Sequence, residues 1–255
     1  MLTLASDQAS EVLRRWLDAS EPSFFTAWHV ATTGNGACLV DRWPEPRAAL
    51  ALTYSNYALV GSPGALDADE LRGRVVGFLE GAEAFDSLVR RAFAGAVAWP
   101  RITLVERTLP AAGTVAAEVR PLAVTDAPHV WALTPESLWI ANTWGGPAGL
   151  AAGGYAWGAF VDGHLASVAC SFSVADRFED LGVITEPAFR GRGLSPACAA
   201  ALCADIHARG RQASWTTSLD NTASLRVAEK LGFRMHHHDR LWVIGRSVPE
   251  PAVYP

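Results

Sequence analysis

The sequence predicts a mixed α/β fold, an α+β arrangement whose sheet is built by hairpins and by crossover helices. Three observations carry that prediction. Short β-like runs alternate with helical segments along the chain. Asp162-Gly163 joins two such runs as a two-residue hairpin signal. Two later strands each lead into a helix, one through a glycine loop at 191–193 and one through Asn221. Half of the 255 residues are apolar and 18% are charged, enough apolar surface to offset chain ordering and exclude a disordered polymer.

The elements follow in order. Residues 11–17 carry apolar side chains at 12, 13, 16 and 17, the spacing of a short amphipathic helix. Two β-like runs, 37–40 and 48–60, are parted by Trp43-Pro44-Glu45-Pro46, whose prolines break any ladder. Asp67 is a good N-cap for a helix predicted over 68–79, and a second helix is predicted over 85–93. Residues 101–108 read as a strand. The small segment Pro110-Ala111-Ala112-Gly113-Thr114 marks a boundary near residue 112. It sets a smaller α/β domain over 1–112 before a second domain over 113–255. There, 119–124 reads as a strand and 127–145 as a helical stretch broken at Pro135. Strands are predicted over 155–161, 164–174, 178–185, 212–218 and 233–244, and helices over 196–209 and 222–231, the last closed by Gly232.

Composition removes several classes of function. Net charge is −5, and Lys and Arg do not cluster, so no nucleic-acid partner is expected. No apolar run is long enough to cross a membrane, and the N-terminus lacks the basic and apolar regions of a signal peptide; a cytoplasmic protein is expected. Cys38, Cys170, Cys198 and Cys203 show no metal-ligand spacing and read as small buried hydrophobes. His236-His237-His238 sits in a predicted strand, where consecutive side chains alternate faces, so no metal is expected there.

The informative run is Leu181-Gly-Val-Ile-Thr-Glu-Pro-Ala-Phe-Arg-Gly-Arg-Gly-Leu-Ser195. It reads as a strand, a tight turn holding Gly191 and Gly193, and a helix N-terminus. Freed backbone N–H groups and the helix dipole make such a turn a phosphate site, and Arg190 and Arg192 add charge-assisted bonds. A lysine-bearing P-loop is absent, and the dinucleotide fingerprint fails because no third glycine follows Gly193 at the required spacing. On this loop alone a purely structural strand-to-helix turn stays open.

About thirty residues on, Trp215-Thr-Thr-Ser-Leu-Asp-Asn221 enters Asn221-x-x-Ser224-x-x-x-Ala228-Glu-Lys-Leu-Gly-Phe233. With both motifs in order, the chain resembles the GNAT superfamily of acyl-CoA-dependent N-acetyltransferases over roughly residues 115–245, in a bacterial two-domain form. Pro187, Phe189, Arg190, Gly191, Gly193 and Leu194 match its loop consensus, with Thr185 in place of Val. The resemblance implies a GNAT-like domain at the C-terminus and acetyl-CoA as co-substrate. It implies that the backbone of Val183, Ile184 and Thr185 pairs with pantetheine, and that an N–H of Val183 or Ile184 polarises the thioester carbonyl. The N–H groups of Arg190, Gly191, Arg192, Gly193, Leu194 and Ser195 would hold the pyrophosphate. Asn221 would bond the pantetheine arm, doubling as a helix N-cap, and Ser224 would sit near the sulfur. Residues 1–112 lack both motifs; if that half is a degenerate copy of the fold, it has lost its cofactor loop.

A general base for the acceptor ammonium is expected at the start of the cofactor strand, at Glu179 or Asp180, which point to opposite faces. Ala228 stands where many members of the superfamily have a tyrosine acid; Ser224, water or unaided thiolate release would replace it. Trp139, Trp144 and Trp157 read as core packing, although 137–144 corresponds to the part of this fold that lines the acceptor site. The leading expectation is transfer of acetyl from acetyl-CoA to a small-molecule amine, with a homodimer contact open to the N-terminal domain. The alternatives are an acyl-CoA-binding sensor without catalysis, or an N-acyltransferase using a longer acyl-CoA.

Overall fold

The computed structural model describes residues 1–108, 110 and 113–250, and the expected boundary near residue 112 falls on residues outside these. In chain order the elements are β1 (Leu2–Thr3), α1 (Ser6–Arg14), α2 (Phe25–Thr33), β2 (Ala37–Val40), β3 (Ala48–Thr53), β4 (Asn56–Gly61), α3 (Ala68–Arg72), β5 (Gly77–Gly81), α4 (Asp86–Ala92) and β6 (Val97–Glu106). They continue with β7 (Glu118–Pro121), α5 (Ala127–Trp131), α6 (Pro147–Ala152), β8 (Ala156–Val161), β9 (His164–Val174), β10 (Phe178–Thr185), α7 (Leu194–Ala208), β11 (Gln212–Thr217), α8 (Thr222–Lys230) and β12 (Phe233–Ile244). Two compact units result. The first holds Met1–Arg101, Val174–Asp176 and the chain from His238 through β12; the second holds Ile102–Ser173 and Arg177–His237.

In the first unit β1 to β4 form an antiparallel series, β4 and β5 pair in parallel across α3, and β5 pairs antiparallel with β12 at Leu79↔Trp242. Period-two alternation clothes both faces. Ala49, Ala51, Ala58 and Val60 meet Val12, Leu13, Ala27 and Val30 of α1 and α2. Leu50, Leu59 and Leu79 meet Leu71, Leu88 and Val89 of α3 and α4, with Trp242 among them.

Several expectations change here. The run 48–60 is a hairpin, closed at Thr53↔Asn56 with Tyr54 at φ 52° in the turn. The helix expected over 68–79 stops at Arg72. Its cap forms, with the Asp67 carboxylate accepting the Asp69 N–H at 2.6 Å, but Gly73 and the β-branched pair Val75-Val76 favour leaving the helix. Gly77, at φ 145°, then brings the chain so close to Ser55 that a Cβ would lie 2.1 Å from its carbonyl oxygen. α2 was not predicted: seven of its nine residues are buried, so it shows no polar face for periodicity to detect.

In the second unit β7, β8 and β9 pair antiparallel in turn, β10 lies beside β9, and β10 and β11 pair in parallel across α7. β6 completes the sheet, antiparallel to β11 at Leu104↔Trp215. Asp162 (φ 48°) and Gly163 (φ 78°) turn the β8–β9 hairpin as predicted. Leu194, Cys198, Leu202 and Ile206 run as an i, i+4 stripe along α7, onto Leu181, Ala166 and Ala213. The helical stretch expected over 127–145 divides into α5 and a tighter 3-10 stretch, Leu138–Trp144, with α6 following unpredicted. Each unit thus takes its sixth strand from the other half of the sequence.

Candidate active site

Parallel pairing of β10 with β11 covers only Phe178↔Gln212, Glu179↔Ala213 and Asp180↔Ser214. Beyond Asp180 the strands part. β11 turns its backbone to β6, from Ser214↔Val105 to Thr217↔Ile102, whereas β10 runs on to Thr185. The β11-facing edge of Val183, Ile184 and Thr185 is therefore open along a wedge in the sheet. Its other side is held, since Ser167 Oγ donates to the Ile184 carbonyl at 2.6 Å and lies 2.8 Å from Thr185 Oγ1.

The wedge leads into the glycine loop. A turn at Pro187–Phe189 delivers Arg190 in extended conformation, then Gly191 (φ 76°) and Gly193 (φ 74°) adopt the left-handed backbone that glycine tolerates without strain. α7 starts at Leu194, and no side chain caps its first N–H groups. Among them Leu194 and Ser195 offer donors, and Pro196 has none. Residues 191–193 are exposed, so an anion can reach this N-terminus. The flanking guanidiniums are partly anchored, Arg190 Nε on the Thr185 carbonyl at 3.4 Å and Arg192 over the Phe189 ring at 5.5 Å.

Glu179 and Asp180 diverge as their parity requires. Glu179 lies on the α7 face and is 0% exposed. Its carboxylate accepts from Arg209 Nε at 2.9 Å and Nη2 at 2.7 Å, from Arg211 Nη1 at 3.1 Å, and from Ser171 Oγ. Burial opposes the Arg209 charge, but the bonds and charges of Glu179 and Asp205 prevail and hold its pKa above the usual value. Asp180 faces the other way, 8% exposed. It accepts from Ser214 Oγ and Thr216 Oγ1, each at 3.0 Å. The period-two placement of Ser214 and Thr216 beside Asp180 is a signal that the sequence reading did not exploit. Arg209 and Arg211, some thirty residues from Glu179, left no local pattern to read.

The 138–144 stretch covers the Asp180 side of β10: a Cβ on Gly182 would lie 2.9 Å from Ile140 and 3.1 Å from Phe172. Trp139 is 41% exposed, its ring edge against Phe172 at 5.5 Å, which departs from core packing. Trp144 is buried, with Nε1 donating to the Ser171 carbonyl at 3.0 Å, and Trp157 is half-buried. At α8, Asn221 Oδ1 accepts the Ser224 N–H at 3.2 Å, the expected N-cap. Ser224 Oγ accepts from Trp215 Nε1 at 2.8 Å. Ala228 is 0% exposed within the α7 core. The rings of His236 and His237 meet at 5.3 Å, so strict alternation is relaxed there.

Comparison with known proteins follows the same residues. A family model described as GNAT acetyltransferase matches residues 132–240. An uncharacterised N-acetyltransferase of Streptomyces virginiae is 37% identical over 184 residues, 71% of this chain and 78% of the relative. The chain belongs to the GNAT acetyltransferase family. As a GNAT protein it is an acyltransferase, in a family that generally takes acetyl-CoA as co-substrate and acts on small-molecule or protein acceptors. The GNAT fold extends over the chain. A GCN5-related N-acetyltransferase-like protein from Streptococcus suis aligns with TM-score 0.70 at 19% identity, covering 94% of this chain and 99% of its own. A GNAT-family putative acetyltransferase from Novosphingobium aromaticivorans aligns with TM-score 0.60 at 18% identity, covering 87% and 97%. Among the described residues no helix is long and apolar enough to cross a membrane.

Proposed function

We propose that the protein transfers the acetyl group of acetyl-CoA to a primary amine of a small acceptor, by direct attack within a ternary complex. The observation that carries this reading is the parting of β10 from β11 beside an uncapped helix N-terminus. Pantetheine in the wedge would pair with Val183, Ile184 and Thr185 as an added strand, while the N–H groups from Arg190 to Ser195 hold the pyrophosphate. Asn221, whose Oδ1 already caps α8, would offer its amide N–H to the pantetheine arm. The N–H of Val183 would stabilise the tetrahedral oxyanion, since Ile184 turns its backbone groups to Ser167 on the closed side.

Between the two acidic residues, the reading favours Asp180 as the base. Glu179 has its oxygens taken by two arginines and a serine, whereas Asp180 faces the 138–144 side, its Oδ1 accepting from the hydroxyls of Ser214 and Thr216. The base takes the ammonium proton, the neutral amine attacks the thioester carbon, and collapse of the intermediate breaks the C–S bond and releases CoA thiolate. Ser224 Oγ, bonded to Trp215, or water would relay the surplus proton of the newly acylated nitrogen to that thiolate.

Thiolate release from acetyl-CoA across a panel of amines tests the reaction. With the best amine, Asp180→Asn is expected to lower kcat about 10²–10⁴-fold at unchanged acetyl-CoA affinity; full activity would move the base elsewhere. A buried Ala228 in place of an acid favours one second reading, acyl-CoA binding without turnover, and absence of thiolate release across the panel would select it. Faster release from longer acyl-CoAs would select the acyltransferase alternative.

A further inference from the structure

The first unit holds a cavity of about 460 Å³ whose walls include Trp16, Phe24, Arg47, Leu59, Gly61 and Phe85. It opens at the carboxyl ends of the parallel strands β4 and β5. Leu59 belongs to the core under α3 and α4, and Val60, also in the wall, belongs to the core under α1 and α2. The cavity therefore sits where the helical layers of the two sheet faces meet beyond the strand ends, the place at which open α/β sheets receive ligands.

It is not a second coenzyme A cleft. β4 and β5 stay paired through Leu59↔Gly81, the last residue of β5, so no strand-like arm can enter between them. The helix that follows β4 has only five residues, and the left-handed glycine pair is missing.

Its chemistry is specific in another way. Three aromatic side chains line it, and Arg47 is the one charged residue among the lining residues. Asp41 accepts the backbone N–H groups of Arg47 at 2.8 Å and Ala48 at 3.1 Å, and approaches Arg47 Nε at 3.5 Å. That fixes where the arginine leaves the chain. Its two terminal nitrogens have no partner among the described residues, and such a fork matches a carboxylate. Phe24 adds an independent sign. It stands at φ 51° and ψ 41°, a left-handed conformation costly for a bulky residue. Tyr54 and Asp162, the other such residues among those described, occupy hairpin turns; Phe24 does not. Strain of this kind collects at ligand clamps.

We propose that this cavity binds a small aromatic carboxylate, its ring among Trp16, Phe24 and Phe85 and its carboxylate on the Arg47 fork. The volume is at the smaller end of ligand pockets, which favours one ring system over an extended chain. The test uses the full-length protein, titrated calorimetrically with indole-3-acetate and with its neutral isostere, indole-3-acetamide. Saturable binding of the acid with Kd below about 1 mM is expected, with the amide weaker by about tenfold or more. Arg47→Gln, at an exposed position that leaves the cores intact, should weaken the acid to the level of the amide while acetyl-CoA affinity stays unchanged. Phe24→Ala should weaken both ligands together. Absence of saturable binding, or an Arg47→Gln variant that binds the acid as tightly as the native protein, would overturn the proposal. Neither outcome touches acyl transfer in the second unit.

Discussion

Replacing Glu179 by glutamine separates a structural carboxylate from a chemical one. The native side chain is fully buried and receives two bonds from Arg209, one from Arg211 and one from Ser171. The amide would keep the shape, remove the charge and turn an NH₂ toward guanidinium donors. Breaking a buried ion pair costs about 3–5 kcal/mol. Two features reduce that here. The Arg209 and Arg211 side chains are 22% and 20% exposed, so water can reach them, and Arg209 keeps Asp205 at 2.5 Å. A loss of about 2–3 kcal/mol follows, read as a lower urea midpoint and a melting temperature reduced by roughly 5–10 °C. Measured where the variant is still folded, kcat should stay within about threefold of native, since the chemistry is assigned to Asp180. Unchanged stability together with a kcat loss above about a hundredfold would refute the reasoning and return the base to Glu179.

The other predictions test the loop, the departure from the family pattern and the response to acid. Gly191→Asp should fold, because nothing lies within 4 Å of a Cβ there, with about 1 kcal/mol of left-handed strain. Beside the pyrophosphate its charge should cost on the order of 3 kcal/mol, roughly a hundredfold in acetyl-CoA affinity by calorimetry; unchanged affinity would displace the site. Ala228→Tyr should not restore an acid but destabilise by about 1–3 kcal/mol through overpacking, a loss that urea unfolding would detect. The Arg120 guanidinium, helped by the Ala123 N–H, holds the Asp126 carboxyl at about 2, below its usual 3.8. A depressed carboxylate stabilises fully above its unfolded pKa and loses that contribution as pH falls through the folded one. Between pH 4 and 2 about 1–2 kcal/mol should disappear, after allowance for an Arg120 one-third exposed, and Arg120→Gln should flatten that limb.

The second half of the chain was the more readable, for physical reasons. Its strands carry sharp punctuation: Asp162-Gly163 turns β8 into β9, Gly191 and Gly193 start α7, and Gly232 ends α8. In the first half, the apolar stretch 48–60 concealed a hairpin whose turn, Tyr54-Ser55, carries neither glycine nor proline to mark it. The helix predicted beyond Arg72 ignored a strand whose need for Gly77 arises only from contact with Ser55. At the candidate site the loop and the opposed faces of Glu179 and Asp180 were legible because both are local. What sets the two carboxylates apart was not. Arg209, Arg211, Ser214 and Thr216 arrive from later elements, brought to β10 by the crossover through α7.

The borrowed sixth strands have a consequence in time. β5 must wait for β12, roughly 160 residues later in the chain. At a synthesis rate of about 5–20 residues per second, that is on the order of ten seconds during which the ribosome has delivered the first unit's five other strands but not their neighbour. Throughout that interval β5 presents Phe78 and Leu79 on an unpaired edge, the kind of edge that captures a strand from another chain. The nascent protein is therefore most vulnerable to misassembly after its N-terminal half has been made and before Trp242–Ile244 emerge. Faithful folding of that half depends on the final strand of the other.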